Sequence, residues 1–230
     1  MKRKAASGIM LTSLLISVLT LAVNVQPVKA SGIIYIRADG SVDPLTPLIT
    51  TVDNVTYTFT DNINESIVLE RDNIVVDGNS HTIQGTGNGT GIYVPQRSNV
   101  TVKNMEIRAF GCGIYLFGSS NSSIVGNNII ENFDGIRLNS SSHNNISGNN
   151  IVANNQYGIR FEVSSNNTVY HNNFKDNNQE VYSSASTNIW DDGYPSGGNY
   201  WSDYNGTDFY SGLYQNETTR SLFMPNAETS

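Results

Sequence analysis

Asn121–Ser142, NSSIVGNNIIENFDGIRLNSSS, and His143–Ser165, HNNISGNNIVANNQYGIRFEVSS, are two copies of one pattern. The same pattern runs through Asn99–Ser120, NVTVKNMEIRAFGCGIYLFGSS, and Asn166–Ser186, NNTVYHNNFKDNNQEVYSSAS. Asn73–Ser98 is a longer copy with an insertion around Gly85–Thr90. The four regular copies are 22, 22, 23 and 21 residues long, and the marker Gly-Ile-x-apolar begins at Gly91, Gly113, Gly135 and Gly158, with Glu180-Val181 as a degenerate fifth. A repeat of this length is one structural unit of a solenoid, too thin to bury a core alone.

The residue types within the repeat choose between solenoids. A leucine-rich repeat needs several leucines and a helical stretch, whereas these copies hold short β-branched alternations separated by Asn, Gly and Ser. The expected fold is all-β: a single-stranded, pectin-lyase-like parallel β-helix of about 22 residues per coil, right-handed because parallel crossovers take that hand. Four columns should stack inside at about 4.8 Å per coil. They are Val76, Val102, Ile124, Ile146 and Val169; Ile83, Ile107, Ile129, Ile151 and Phe174; Ile92, Ile114, Ile136, Ile159 and Val181; and Val94, Leu116, Leu138 and Phe161. Asn79, Asn127, Asn149 and Asn172, interrupted by Met105, form a polar column whose amides can pair along the axis. The thirty-one asparagines are therefore structural before anything else.

Working outward, residues 1–30 read as a signal peptide, with Lys2, Arg3 and Lys4, an apolar run from Ile9 to Val23, and Val28-Lys29-Ala30 as a cleavage site. The apolar run is short for a bilayer span of roughly 20 residues, so the expectation is a secreted or cell-surface protein, not an integral membrane protein once the signal is cleaved. Removing the signal leaves nine basic against twenty acidic residues, a net charge of about −11. So acidic a chain is not expected to bind nucleic acid, which demands clustered Lys and Arg. The lone Cys112 rules out an intrachain disulfide. It reads as a small buried residue in a turn. Residues 31–72 are expected to form an N-terminal cap with an incomplete first coil, 73–186 the repeats, and 187–230 an aromatic, glycine-rich closing segment.

The coils with NNxxxGNN and GIxL resemble the parallel β-helix (PbH1) repeats of NosD-like proteins. SIVLERDNIVVDGNSHTIQGTGNGTGI (Ser66–Ile92) resembles the opening coil of exported archaeal members, and NIWDDGYPSGGNYWSDYNGTD (Asn188–Asp208) their closing segment. The resemblance covers about Ser31–Glu217. It implies a periplasm-like location, a domain grouped with carbohydrate-binding proteins and sugar hydrolases (the CASH domain), and copper by the family's name. Thr219–Ser230 departs from the family's ending, so the C-terminus reads as truncated or frameshifted. The copper ligands are not evident either: His81, His143 and His171 sit in different columns, and Met105, Met224 and Cys112 have no partners.

Besides the copper-binding periplasmic accessory protein that the family resemblance implies, three functions remain open. The favoured one is carbohydrate binding, to a polysaccharide or cell-surface glycan. Tyr93, Tyr115, Arg137, Arg160 and Tyr182 each follow an inward residue, so strand alternation points them outward as one stripe, where rings and guanidinium groups can hold sugar faces and acidic glycans. Trp190 and Trp201 can serve the same purpose or plug the last coil. The alternative is a polysaccharide lyase or glycoside hydrolase using Glu131, Asp134 and Asp176; Glu131 and Asp176 are two coils apart, about 9.6 Å, at the wide edge of an inverting pair. The third is a passive surface protein, glycosylated at some of ten sequons, Asn54, Asn64, Asn88, Asn99, Asn121, Asn139, Asn145, Asn166, Asn205 and Asn216. No cofactor is required. Calcium would suit the oxygens of Asp191, Asp192, Asp203 and Asp208.

Overall fold

The structure is a computed structural model that describes residues 32–193 and 196–204. Each repeat bends at three places, giving three short strands per coil, and equivalent strands of successive coils pair in register. In the central coil these are Ser123–Val125, Asn128–Ile130 and Asp134–Asn139. The described strands thus form three sheets along one axis, of eight, six and seven strands. The chain is a parallel β-helix. The pairing is parallel throughout the repeats; two antiparallel pairings occur near the N-terminal end, Val42–Asp43 with Ile33–Ile36 and Ile49–Thr50 with Thr56–Phe59. Within residues 31–72, Ile33–Ile36 and Ser66–Leu69 already belong to the eight-stranded sheet and Thr56–Phe59 to the seven-stranded one.

The apolar columns face one another across the interior. Ile114 pairs with Ile92 and Ile136, and Ile136 with Ile159, all fully buried. Each such side chain gains about 1.5–3 kcal/mol by leaving water, which a single coil could not provide for itself. The stack is closed by Trp201, whose ring lies 4.4 Å from Phe174 and nearly parallel to it, and by Trp190, edge-on to Phe161 at 5.8 Å. Trp201 is 7% exposed. Both tryptophans therefore plug the last coil and do not join the outward stripe.

The corners follow from two kinds of residue. Non-glycine residues in the left-handed region recur once per coil: Ala109, Glu131, Ala153 and Asp176 at one corner, Asn99, Asn121, His143 and Asn166 at another. Inward-pointing polar side chains hold the corners from within. Asn127, Asn149, Asn172 and Asn199 pass amide hydrogen bonds up the stack at 2.9–3.1 Å. Asn132, Asn154 and Asn177 form a second ladder, and Asn144, Asn167 and Asn188 a third. Ser119, Ser141, Ser164 and Ser186 make a hydroxyl counterpart. Asn79 does not join the first ladder. Its turn, between Ile74–Asp77 and Thr82–Gln84, is two residues longer than those above it, and Gly78 is what lies against Met105. Met105 ends that ladder by donating its backbone N–H to Asn127.

Candidate functional site

The outer face of the eight-stranded sheet gathers the side chains with the most chemistry. Its middle row is the stripe read from sequence: Tyr93, Tyr115, Arg137, Arg160 and Tyr182 occupy one register on five adjacent strands. The Tyr93 and Tyr115 rings stack at 5.3 Å. The Arg137 guanidinium lies 5.0 Å from the Tyr115 ring, and that of Arg160 lies 5.4 Å from Tyr182. Phe117 meets Tyr115 edge-on at 6.2 Å, and Tyr157 meets Tyr182 at 5.0 Å. The face is thus an aromatic platform at either end with an arginine pair between.

Glu162 ties the pair together. Its Oε2 accepts from Arg137 Nε (2.9 Å) and Nη2 (2.7 Å), and its Oε1 from Arg160 Nη2 (2.6 Å). Burial would raise the Glu162 carboxyl, but the hydrogen bonds from Arg137 and Arg160 outweigh it and hold it below its ordinary range. Asp134 behaves oppositely. Its side chain is 6% exposed and 3.8 Å from Arg160. Burial pushes its carboxyl up, against the opposing charges of Arg160 and Arg137, and its buried Oδ1 has no hydrogen-bond partner.

Strict alternation from inward Ile136 would send Asp134 inward as well. Gly135 breaks the alternation. A Cβ there would sit 2.5 Å from the Gly158 carbonyl oxygen and 3.0 Å from the Asn154 amide, inside the corner. Gly113 and Gly158 repeat this arrangement, so the residues before them, Cys112 and Tyr157, share Asp134's register. Cys112 is buried at the start of a strand, not in a turn, and burial raises its thiol far above the ordinary value. Tyr157 and Glu162 were not singled out by sequence reasoning. The glycine spacing carries the signal for Tyr157; nothing short of the fold pairs Glu162 with arginines from two coils.

The carboxylate trio is split. Glu131 and Asp176 occupy the left-handed corner with Ala153 between them. Both are exposed, Glu131 bonded to Arg108 at 2.8 Å and Asp176 lying 3.9 Å from Lys175. Asp134 alone joins the arginine-bearing face. The acidic candidates near the C-terminal end are also dispersed: Asp191 accepts from the Gly193 N–H, Asp192 lies 3.9 Å from His171, Asp203 acts electrostatically on Glu180, and Asp208 falls outside the described residues. Among the described residues no three His, Cys, Asp or Glu side chains converge as metal ligands would. His81 and His171 lie at turns separated by four strand spacings, about 19 Å. His143 is at a different corner. Met105 and Cys112 are buried in separate places, and Met224 is outside the described residues.

The chain matches the family described as periplasmic copper-binding protein (NosD) over residues 24–206. The described donors do not fit a copper ion, because no two of these soft or imidazole ligands face each other. No curated protein matches the chain. Solved structures match at the level of fold. A periplasmic alginate epimerase, AlgG, in a mutant form has a TM-score of 0.47 and 21% identity, over 55% of this chain and 34% of that one. The A-module of a mannuronan C-5 epimerase from Azotobacter vinelandii gives 0.40 and 19%, over 59% and 47%. An alginate lyase from Paenibacillus sp. str. FPU-7 gives 0.40 and 15%, over 59% and 67%. The chain spans about a third to a half of the length of the first two. No described helix is long and apolar enough to cross a membrane.

Proposed function

This chain belongs to the NosD family, and on that premise we propose that it is an exported, non-catalytic protein that binds a polysaccharide or cell-surface glycan along the outer face of its eight-stranded sheet. The observation that carries this reading is the in-register row of Tyr93, Tyr115, Arg137, Arg160 and Tyr182. Its spacing repeats at about 4.8 Å, a distance comparable to one sugar ring, so an extended glycan could meet one side chain per residue. Half-buried tyrosines fixed by their neighbours present ring edges and hydroxyl groups to a sugar at little further entropic cost.

Affinity electrophoresis through gels containing a panel of polysaccharides tests the proposal. Tyr115→Ala should weaken retention roughly five- to tenfold, about 1 kcal/mol of ring contact. The melting temperature should move little, since the ring is on the surface. Retention unchanged in that variant, or no retention of the parent by any polymer, would sink the reading.

Asp134 supports a second reading, catalysis by a lyase or glycosidase. A carboxyl held towards its protonated form beside a glycan-binding row is placed as a proton donor would be. In that case the parent should release reducing ends from a polymer it retains. Asp134→Asn should lower that release by about 100-fold or more while retention persists. A polymer that is bound and left uncut by the parent rejects catalysis on it.

A further inference from the structure

Resting on the carbohydrate-binding reading, we infer that the polymer is a neutral polysaccharide, and that Glu162 is the specificity-determining residue that excludes acidic ones. Two arginines on a binding face would ordinarily invite a uronate or sulfate group. Here both are already occupied. Glu162 engages Arg137 through two nitrogens and Arg160 through a third, and Asp134 lies beside Arg160 on its other side. The patch therefore holds two cations and two carboxyl groups. The Arg160 Nε is buried and beyond the reach of a ligand.

An incoming carboxylate would have to displace an internal one that is already positioned, with both carboxyls of the patch nearby. The side chains are only 21–31% exposed for Glu162, Arg160 and Arg137, so water does little to screen that contest. Towards the N-terminal end of the same sheet, Arg37 is held by Asp43 and Glu70. The whole chain carries a net charge of −7, which repels polyanions at longer range. What remains open to a ligand is aromatic: the Tyr93–Tyr115 stack with Phe117, and the Tyr157–Tyr182 pair. Those surfaces hold uncharged sugar rings.

The test compares the purified full chain in native gels containing β-glucan or galactomannan with gels containing polygalacturonate or alginate. The parent should be slowed by at least one neutral polymer and run unhindered through both acidic ones. Glu162→Gln frees Arg137 and leaves Arg160 with Asp134 as its acidic neighbour, and should gain retention on the acidic polymers by roughly tenfold, the scale of a charge-assisted hydrogen bond. Roughly 0.5 M salt should reduce that gain without abolishing it, because the guanidinium groups are partly buried. A parent slowed more by the polyuronates than by the neutral polymers overturns this inference and leaves carbohydrate binding standing. A parent slowed by none of the four fells both. A Glu162→Gln protein that melts like the parent yet gains nothing removes Glu162 from the role. If that variant does not fold, the parent's own discrimination between polymers decides.

Discussion

Ile136→Asp is expected to lower stability by about 5 kcal/mol or more, enough to unfold a protein of ordinary stability. Ile136 is fully buried between Ile114 and Ile159 in the central coil. The substitution removes a packed aliphatic side chain and puts a carboxyl where no partner or water can reach it. In a solenoid the loss falls on both neighbouring interfaces, because each coil is held only by the coils beside it. Thermal denaturation followed by circular dichroism checks this: a domain of this size loses roughly 2–4 °C per kcal/mol, so the midpoint should fall by more than 10 °C. Val163→Asp is the control. Val163 is 64% exposed and holds a left-handed backbone, φ 51°, which Asp tolerates better than Val. It should leave stability unchanged or slightly raised. Equal effects from the two substitutions would mean that the register of the eight-stranded sheet is wrong.

Asn149→Ala should cost about 4 kcal/mol, an unusual loss for a polar residue. Asn149 is completely buried. Its Oδ1 accepts from the backbone N–H and the side-chain amide of Asn127, and its Nδ2 donates to the carbonyls of Ile124 and Ser147 and to Asn172 Oδ1. Truncation leaves several of these groups buried without partners, at about 1–3 kcal/mol each before water relieves some of them. Asn149→Asp keeps the size and loses the donors, so it should be nearly as damaging. That outcome separates hydrogen bonding from packing. Asn150→Ala, one residue along and exposed, should cost about 0.5 kcal/mol or less. If denaturant midpoints for Asn149→Ala and Asn150→Ala coincide, the ladder carries no stability.

Much of this was legible in the chain alone. The inward columns follow from a 22-residue period with β-branched residues at fixed offsets, because a coil with so few apolar residues has no core except the one its neighbours complete. The outward stripe follows from the same count, since alternation relates Tyr115 to Ile114 and Arg137 to Ile136. The asparagine column at Asn127, Asn149 and Asn172 was legible too. Its extension to Asn199 was not, because Asn199 lies outside the repeat and reaches Asn172 from a segment with no periodicity. The equivalent ladders at Asn132 and Asn144 look in sequence like any polar turn. The tryptophans were open to two readings from sequence, and the stacking of Trp201 on Phe174 places them in the plug.

That the chain winds into coils, which residues face inward and which five side chains share a row depend only on period and alternation, and are readable from the order of the residues. Which charges meet depends on the folded stack. Glu162 is 25 residues from Arg137 and two from Arg160, and it joins both because stacking converts one turn of sequence into a single strand spacing. Asp134 reached the same face through Gly135, whose missing Cβ lets the backbone pack against the next coil. Ion pairing and burial depend on distances between coils, which a repeat period implies for equivalent positions but leaves unspecified between unlike ones.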